Sequence, residues 1–579
     1  MINDLRIDSQ LPAEELLRTS SDVRERADTA SKTVVVLGAG LAGLSAAHEL
    51  SRLGYRVAVY EATDGPGGFY RSSRRAADRM PTEYSWHGMG PWYSNTFEVM
   101  KQIPFSSKGS VYDCALSRPI DFGIFPDRQS ARFYGDRLRS IPAMFGMRRF
   151  DFVRWSYLML KVWTSRSRAQ NVYSRINAAN AWKPLLSTVA HRTWRSCFGP
   201  WIGSDWSRVS LHTTGDFFRK QLTTRARHQH EADEHGPAWT HGAGDGWLLL
   251  RGPSSEWWFN PWIASLEQSG VRFHWNHTLT QFEFDGTRIV AAQCGPVRVQ
   301  ANMFIMAINP FVAAQVLART PGLAAQDGLN RFEQLTQDSP HAQISFRIAF
   351  GEKIRFPRPR TAIVVSDSEF NLTVFAEEQV WSPVVHLGDG ILSLWTGTSC
   401  ISTVPGRIYG KDVQHCTKAE FIAEVQAQIL DCGALDTLIR EANAGRGLRE
   451  FPIAHIEVWH EWEFTGTQVC GTQPKWVNST TTEPHLPDQV TAVTNLFLAG
   501  AHTRTEAHVW SIEGAVESGR RAAKAIDNRV QVLGQERPWW LAFAATCDDA
   551  LYAMRAPQLV DVLLLLLGVG VALACALLW

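Results

Sequence analysis

The chain has 579 residues, 45% hydrophobic and 20% charged, ordinary values for a globular protein and enough length for two or three domains. Lys and Arg number 58 against 57 Asp and Glu, so there is no basic excess to hold a polyanion and no nucleic-acid partner is expected. Nine cysteines lie at irregular spacing with no C-x-x-C pair, which speaks against zinc ribbons, dithiol motifs and a disulfide framework; reduced thiols and no metal centre are expected.

Residues 1–31 are polar and carry Asp4, Asp8, Glu14, Glu15, Asp22, Glu25 and Asp28 without an apolar stretch, so they read as a disordered leader and not a signal peptide. Thr33 to Leu37 are apolar and β-branched, a buried strand. Gly38, Gly40 and Gly43 follow in G-x-G-x-x-G spacing. The first allows a tight turn, the second lets backbone approach a pyrophosphate, and the third lets the next helix lie close to the sheet. That helix, Leu41 to Leu53, starts with its amides aimed at the phosphates, so Ala39, Leu41 and Ala42 join the glycines as cofactor-contacting positions. "RVAVYE" (56–61) is a second strand closed by Glu61, whose carboxylate would accept ribose hydroxyls and disfavours a 2′-phosphate. NADP is thereby disfavoured; NAD and FAD remain.

The next residues separate these two. "EATDGPGG" places Ala62 and then a second glycine pair, Gly67 and Gly68, directly after the acid. This resembles the flavin amine oxidase and phytoene desaturase superfamily, and the resemblance implies FAD. Phe69 occupies a position often held by Arg in amine oxidases, with Arg71 close by as a cofactor-contacting candidate. "EYSWHGMGPWYSNTFEVMKQIP" (83–104) is similar to the carotenoid-desaturase branch. There, the resemblance implies, Gly88, Met89 and Gly90 pass beneath the isoalloxazine ring while Trp86, His87, Trp92 and Tyr93 crowd the substrate side. Flavin oxidation of an unactivated carbon asks little of side chains, and His87 is the one catalytic candidate. Flavin amine oxidases use a Lys near flavin N5 and an aromatic cage; no motif locates either.

Further along, "MRRFDFVRWSYLMLKVW" (147–163) reads as a helix that either rests on anionic headgroups or is buried with its basic ends extended to water. Residues 244–286 resemble the return into the FAD domain, with a helix from about Pro261, two strands and Leu279 covering the adenine side. "VRVQANMFIMAINP" (297–310) reads as one more strand of that domain. "NLFLAGAHTRTEAHVWSIEGAVESGRRAAKAI" (495–526) resembles the C-terminal flavin motif: a strand ending at Gly500, then a helix starting near Ser511 and Ile512 that points at the flavin and packs through Ala515, Val516 and Gly519. Ala501 stands where the superfamily usually has an acid, and His502 follows it, either as a substitute hydrogen-bonding group or as a solvent-facing loop residue.

The last residues, 562–579, form an apolar run of about 18, near the ~20 needed for a spanning helix. With Leu559 and Val560 the run reads as a single-pass C-terminal transmembrane anchor, residues 559–579, with the catalytic part facing the cytosol. "RPWWLAFAA" (537–545) reads as an interfacial segment.

The expected architecture is α/β, a Rossmann-type FAD-binding domain with an inserted α+β substrate domain and a C-terminal transmembrane helix. The FAD domain takes 32–100, 241–310 and 491–530, the substrate domain 101–240 and 311–490, and 531–558 is a membrane-proximal linker. The leading functional expectation is an FAD-dependent oxidoreductase that desaturates or dehydrogenates a lipophilic, isoprenoid or carotenoid-like substrate at a membrane and passes electrons to a quinone or O2. The alternatives are a peroxide-producing flavin amine oxidase and a membrane-tethered FAD-binding protein without turnover.

Overall fold

The computed structural model describes residues 32–578 apart from 84–87, 108, 118–120, 128–129, 135–144, 192, 195–206, 225–246, 339–342, 358–360, 366–367, 401–402 and 472. Strand β1 (Thr33–Leu37) is nearly all buried, as its run of valines requires. It lies at the centre of a five-stranded parallel sheet with β2 (Arg56–Tyr60), β3 (Arg272–His274), β4 (Met303–Met306) and β5 (Leu496–Leu498), in the order β3-β2-β1-β4-β5. Segments from both ends and the middle of the chain therefore share one sheet. Residues 297–310 form two strands, not one: Val297–Val299 closes a three-stranded antiparallel meander, and only Met303–Met306 joins the parallel sheet.

Helix α1 (Leu41–Arg52) follows β1 and is buried along almost its whole length. It can be, because Gly43 rests on the carbonyl of Gly38, where a Cβ would overlap it. Helix α2 (Ile512–Ile526) crosses α1 with equal closeness: a Cβ on Gly519 would overlap the Ala42 carbonyl oxygen and lie 3.0 Å from Cβ of Ser45. Beside this contact Arg520 Nε meets Glu49 Oε1 at 2.7 Å, both side chains buried.

The second large sheet has seven strands. Its central strands, Ser345–Phe350, Leu372–Ala376 and Ser393–Ser399, are buried at every position, so the sheet is covered on both faces. Phe346, Ile348 and Phe350 face a core closed by the helices Lys418–Leu430 and Gly433–Ala442. The alternate residue Arg347 faces the other way and pairs with Glu83 at 3.1 Å and Glu377 at 3.6 Å. Much of the tryptophan content is core: Trp155, Trp182, Trp194, Phe145 and Phe218 interleave, with Phe145 and Trp194 stacked at 3.9 Å.

The C-terminal expectation needs correction. Among the described residues no helix is long and apolar enough to cross a membrane, so neither the transmembrane anchor over 559–579 nor the localisation derived from it stands. The last helix (Leu559–Leu578) has described side chains only through Val569. Its first turn is fixed to the protein. Asp561 accepts from Tyr157 at 2.6 Å and pairs with Lys161 at 2.8 Å, both on the helix Arg149–Trp163. The helix Arg149–Trp163 buries Trp155, Met159 and Val162 against the protein, so its Lys161 is engaged by Asp561. Residues 539–553 form a helix docked through Asp548, which pairs with Arg168 at 3.0 Å.

The glycine contact between α1 and α2 gives the first prediction. Gly519→Ala inserts a methyl group where backbone already stands and should lower unfolding stability by about 1–3 kcal/mol, the usual cost of overpacking. Gly568→Ala, in a helix interior with open space around its Cβ position, should leave it unchanged or raise it by up to about 1 kcal/mol, the helix-propensity gain of Ala over Gly. Denaturant titration of the two variants checks this.

Candidate active site

A cavity of about 510 Å³ runs along the C-terminal edge of the parallel sheet. That edge is where open α/β sheets bind ligands, because the strand ends and helix N-termini converge there. The first turn, Gly38 to Ala42, lines it through Gly38, Gly40, Leu41 and Ala42. Gly38 has φ +109 and its Cβ position lies 2.5 Å from the Ala307 carbonyl oxygen, so both its conformation and its space exclude a side chain. Gly40 differs. Nothing lies within 4 Å of where its Cβ would be, because that position faces the cavity. Helix α1 begins there with no side-chain cap and no acid in its first turn, which leaves its amides and positive end available to an anion.

Glu61, at the end of β2, is held toward this turn. Its Oε2 accepts from Ala39 N at 2.7 Å and its Oε1 from Thr63 N at 3.0 Å and Thr63 Oγ1 at 2.9 Å. Ala62 and Leu279 line the cavity beside it. Gly67 and Gly68 have φ +111 and +55 and also line it. From the other end of the chain come Gly500, Ala501, Ser511 and Ile512. Ser511 caps α2 by accepting from Gly514 N at 3.1 Å.

Other sequence candidates lie behind the wall. Gly43 supports the turn from beneath. Arg71 is salt-bridged to Glu461, lies 3.7 Å from Asp64 and stacks over Trp459 at 5.7 Å. Gly88 lines the cavity, whereas Met89 pairs with Leu248 through backbone hydrogen bonds of 2.8 and 2.9 Å and Gly90 packs on the Trp92 ring. His87 and Trp86 lie outside the described residues. His502 is buried on the cavity wall over Gly500 and is no solvent-facing loop residue; burial pushes its imidazole down to about 3 and keeps it neutral.

Beyond the strand ends the wall becomes aromatic and aliphatic: Tyr70, Trp92, Tyr93, Phe217, Trp247 and Leu249. Polar groups here are few. Gln343 and Gln473 line it with Lys475, whose ammonium donates to Gln343 Oε1. Burial pushes Lys475 down to about 7. Sequence reasoning missed this lysine. Its signal was faint: it is the one charged residue between Glu463 and Glu483. Glu513 was also missed. Its two carboxylate oxygens accept from Asn95 N and Thr96 N, each at 2.9 Å, so α2 caps the helix Ser94–Lys101 that supports Trp92 and Tyr93. Burial and then the nearby Glu517 push Glu513 up to about 7.

Comparison with known proteins agrees with this geometry. A family model for an NAD(P)-binding Rossmann-like domain matches residues 36–103, and the model for flavin containing amine oxidoreductase matches residues 259–527. A stretch of 123 residues is 34% identical to a carotenoid phi-ring synthase of Chlorobaculum tepidum, covering 20% of this chain and 18% of that protein. Another of 44 residues is 52% identical to a probable zeta-carotene desaturase of Synechococcus elongatus, covering 8% of this chain and 9% of that protein. The chain thus matches less than a fifth of the length of either curated relative. Among solved structures, cyclohexylamine oxidase from Brevibacterium oxydans shares the fold with a TM-score of 0.55 at 16% identity, over 86% of this chain and 98% of that one. The family models and the two carotenoid-enzyme stretches support an FAD-dependent oxidoreductase of the flavin amine oxidase and carotenoid-desaturase-like superfamily, and the solved neighbour shares its fold. FAD is the cofactor this membership implies, and the open cradle at Gly40 and the uncapped start of α1 fit its pyrophosphate.

The buried lysine predicts a pH dependence. The unfolded chain keeps the Lys475 proton up to its ordinary value of 10.5, while the folded chain releases it near 7. Between these values the unfolded state binds the extra proton, so this group makes stability rise with pH across that window and fall as pH drops back through about 7. Lys475→Met should flatten that part of a melting-temperature-against-pH profile measured by calorimetry.

Proposed function

We propose that this protein removes hydrogen from a lipophilic, isoprenoid or carotenoid-like substrate. The observation that carries the reading is the wall of the cavity beyond the nucleotide end: Trp92, Phe217, Trp247 and Leu249 form an apolar surface with few polar groups. Such a surface suits a hydrocarbon chain and gives a polar substrate little to bind. The names of the two curated relatives, both carotenoid enzymes, point the same way.

Bound FAD would supply the two-electron acceptor, so that a carbon–carbon single bond could be oxidised to a double bond with a hydride equivalent taken by the flavin and the accompanying proton released to solvent. The chain's own residues have simpler tasks. Gly40 and the first amides of α1 hold the pyrophosphate, and Glu61 accepts the ribose hydroxyls. Gly67 and Gly68 let the backbone follow the cofactor, and the start of α2 at Ser511 and Ile512 faces the flavin. The aromatic wall positions the substrate and excludes water. His502 is neutral, and burial brings Lys475 down to about 7, so that it carries its full charge only below neutral pH.

A second reading, amine oxidation, is favoured by one observation, the buried Lys475 on the cavity wall, in a superfamily whose amine oxidases carry a lysine near the flavin. The two readings separate in one experiment. Anaerobic addition of a linear polyene carotenoid precursor in detergent to the flavin-loaded protein should bleach the flavin's visible absorbance, and primary amines should not. Bleaching by amines alone, with peroxide released in air, would replace the proposal with the second reading.

The cradle has its own test. Gly40→Ala adds a methyl group that meets no protein atom, so the fold should stand, while flavin retention should fall by at least about tenfold, the equivalent of 1.4 kcal/mol. Melting temperature and flavin-to-protein absorbance ratio, measured together, separate the two effects. Retention of flavin at the wild-type ratio would remove Gly40 from the pyrophosphate site.

A further inference from the structure

Three side chains from distant parts of the chain converge outside the cavity. His212 lies in the first turn of the helix Leu211–Thr223, Glu483 in the single turn Glu483–His485, and His508 in the loop before α2. Among the described residues they are the one group of three His, Cys, Asp or Glu side chains whose ligand atoms all lie within 4.8 Å of one another. Nδ1 of His212 is 2.8 Å from Glu483 Oε1, and Nε2 of His508 is 3.1 Å from the same oxygen. The two imidazole centroids are 4.1 Å apart. Glu483 Oε2 is engaged elsewhere, by the hydroxyls of Ser210 and of Thr213, the latter at 3.0 Å. That leaves Oε1 facing both imidazoles.

These separations, which hydrogen bonds also give, match those of ligands around an ion. Bonds of about 2.1 Å to nitrogen and oxygen put neighbouring donors about 3.0 Å apart at right angles and about 3.4 Å apart in a tetrahedron. The backbone is also bent to make the site. His508 has φ +49, a left-handed conformation that a residue with a side chain adopts at an energetic cost, and it is this bend that delivers its ring to Glu483. Nearby Asp216 is occupied by Arg219 at 2.7 Å and Lys220 at 3.1 Å, so it neutralises those cations and leaves Glu483 as the anionic ligand.

We propose that His212, Glu483 and His508 bind a divalent transition-metal ion of the zinc, iron(II) and cobalt(II) class. Two imidazoles and one carboxylate oxygen select this class over calcium and magnesium, which take oxygen ligands. Both histidines are partly exposed, so water can reach the ion and complete its coordination. The ion ties the helix that carries Phe217 to the loop that carries Val509 and Trp510, and all three of those residues line the cavity. Its role is to hold that part of the cavity wall; no redox step passes through it.

The test uses the full-length, flavin-loaded protein, stripped with a chelator and titrated with cobalt(II), zinc(II) and calcium(II) by calorimetry and visible spectroscopy. One equivalent of cobalt per chain should bind with ligand-field bands, zinc should displace it and raise the melting temperature, and calcium should not bind. His508→Asn keeps a residue that tolerates the left-handed backbone, and His212→Asn is a second, independent ligand deletion; each should weaken cobalt binding at least about tenfold, while flavin content reports that the variant is folded. Absence of saturable cobalt binding to the wild type, or equal affinity in either folded variant, would overturn the site.

Discussion

Helix α2 can lie on α1 because Gly519 has no side chain, and the rest of the architecture follows from that contact. The Ala42 carbonyl stands where the Gly519 Cβ would be, so the two helices approach more closely than side chains normally permit. Gly43 does the same beneath α1, against the carbonyl of Gly38. With both faces of α1 pressed this tightly, the start of α2 is fixed relative to the first glycine turn, and the cavity is the space they leave. The buried Arg520–Glu49 pair orients the crossing; each charge would be costly without the other.

This closure joins residues more than four hundred positions apart. The entropic cost of joining chain ends grows only with the logarithm of the loop, about 0.6 kcal/mol per doubling, so a long middle segment is tolerated. The intervening chain can therefore build a whole seven-stranded sheet and an aromatic core without loosening the nucleotide end. Glu513 links the two regions. By capping the helix Ser94–Lys101 it transmits the position of α2 to Trp92 and Tyr93 on the far wall.

What could be read from the sequence, and what could not, divides along the same line. Glycines at 38, 43, 67 and 68 were legible because each answers a local backbone demand, a positive φ or a close approach, that no other residue meets, and Gly40 was legible from its place in the same spacing. The strand Thr33–Leu37 was legible from its valines and Glu61 from its spacing. Lys475, Glu513 and the buried state of His502 were not, because each depends on what a distant segment places over it. The apolar C-terminal run misled for a related reason. Hydropathy adds up residues one by one, whereas the base of that helix is decided by Asp561 meeting Tyr157 and Lys161, some four hundred residues away. The strand over 297–310 divided in two because Val299 pairs antiparallel with Ala292, and Met303 begins a new, parallel pairing with Val34.

Burial pushes four ionisable groups at or near the cavity toward the neutral form. It lowers His502 and Lys475, and it raises Glu513 and Tyr93. Where a charge is kept nearby it is matched: Arg347 lies between Glu83 and Glu377, and Glu377 is still pushed up to about 8, by burial first and by Glu83 as well. An environment that loosens a lysine's hold on its proton also disfavours a charged substrate, because the same loss of hydration applies to both. A hydrocarbon chain would shed its hydration favourably on entering it and would meet Trp92, Phe217 and Trp247. The weakened hold of these side chains on charge and the apolar reach of the wall are thus one physical property of the cavity, and the proposed lipophilic substrate rests on that property more than on any single side chain.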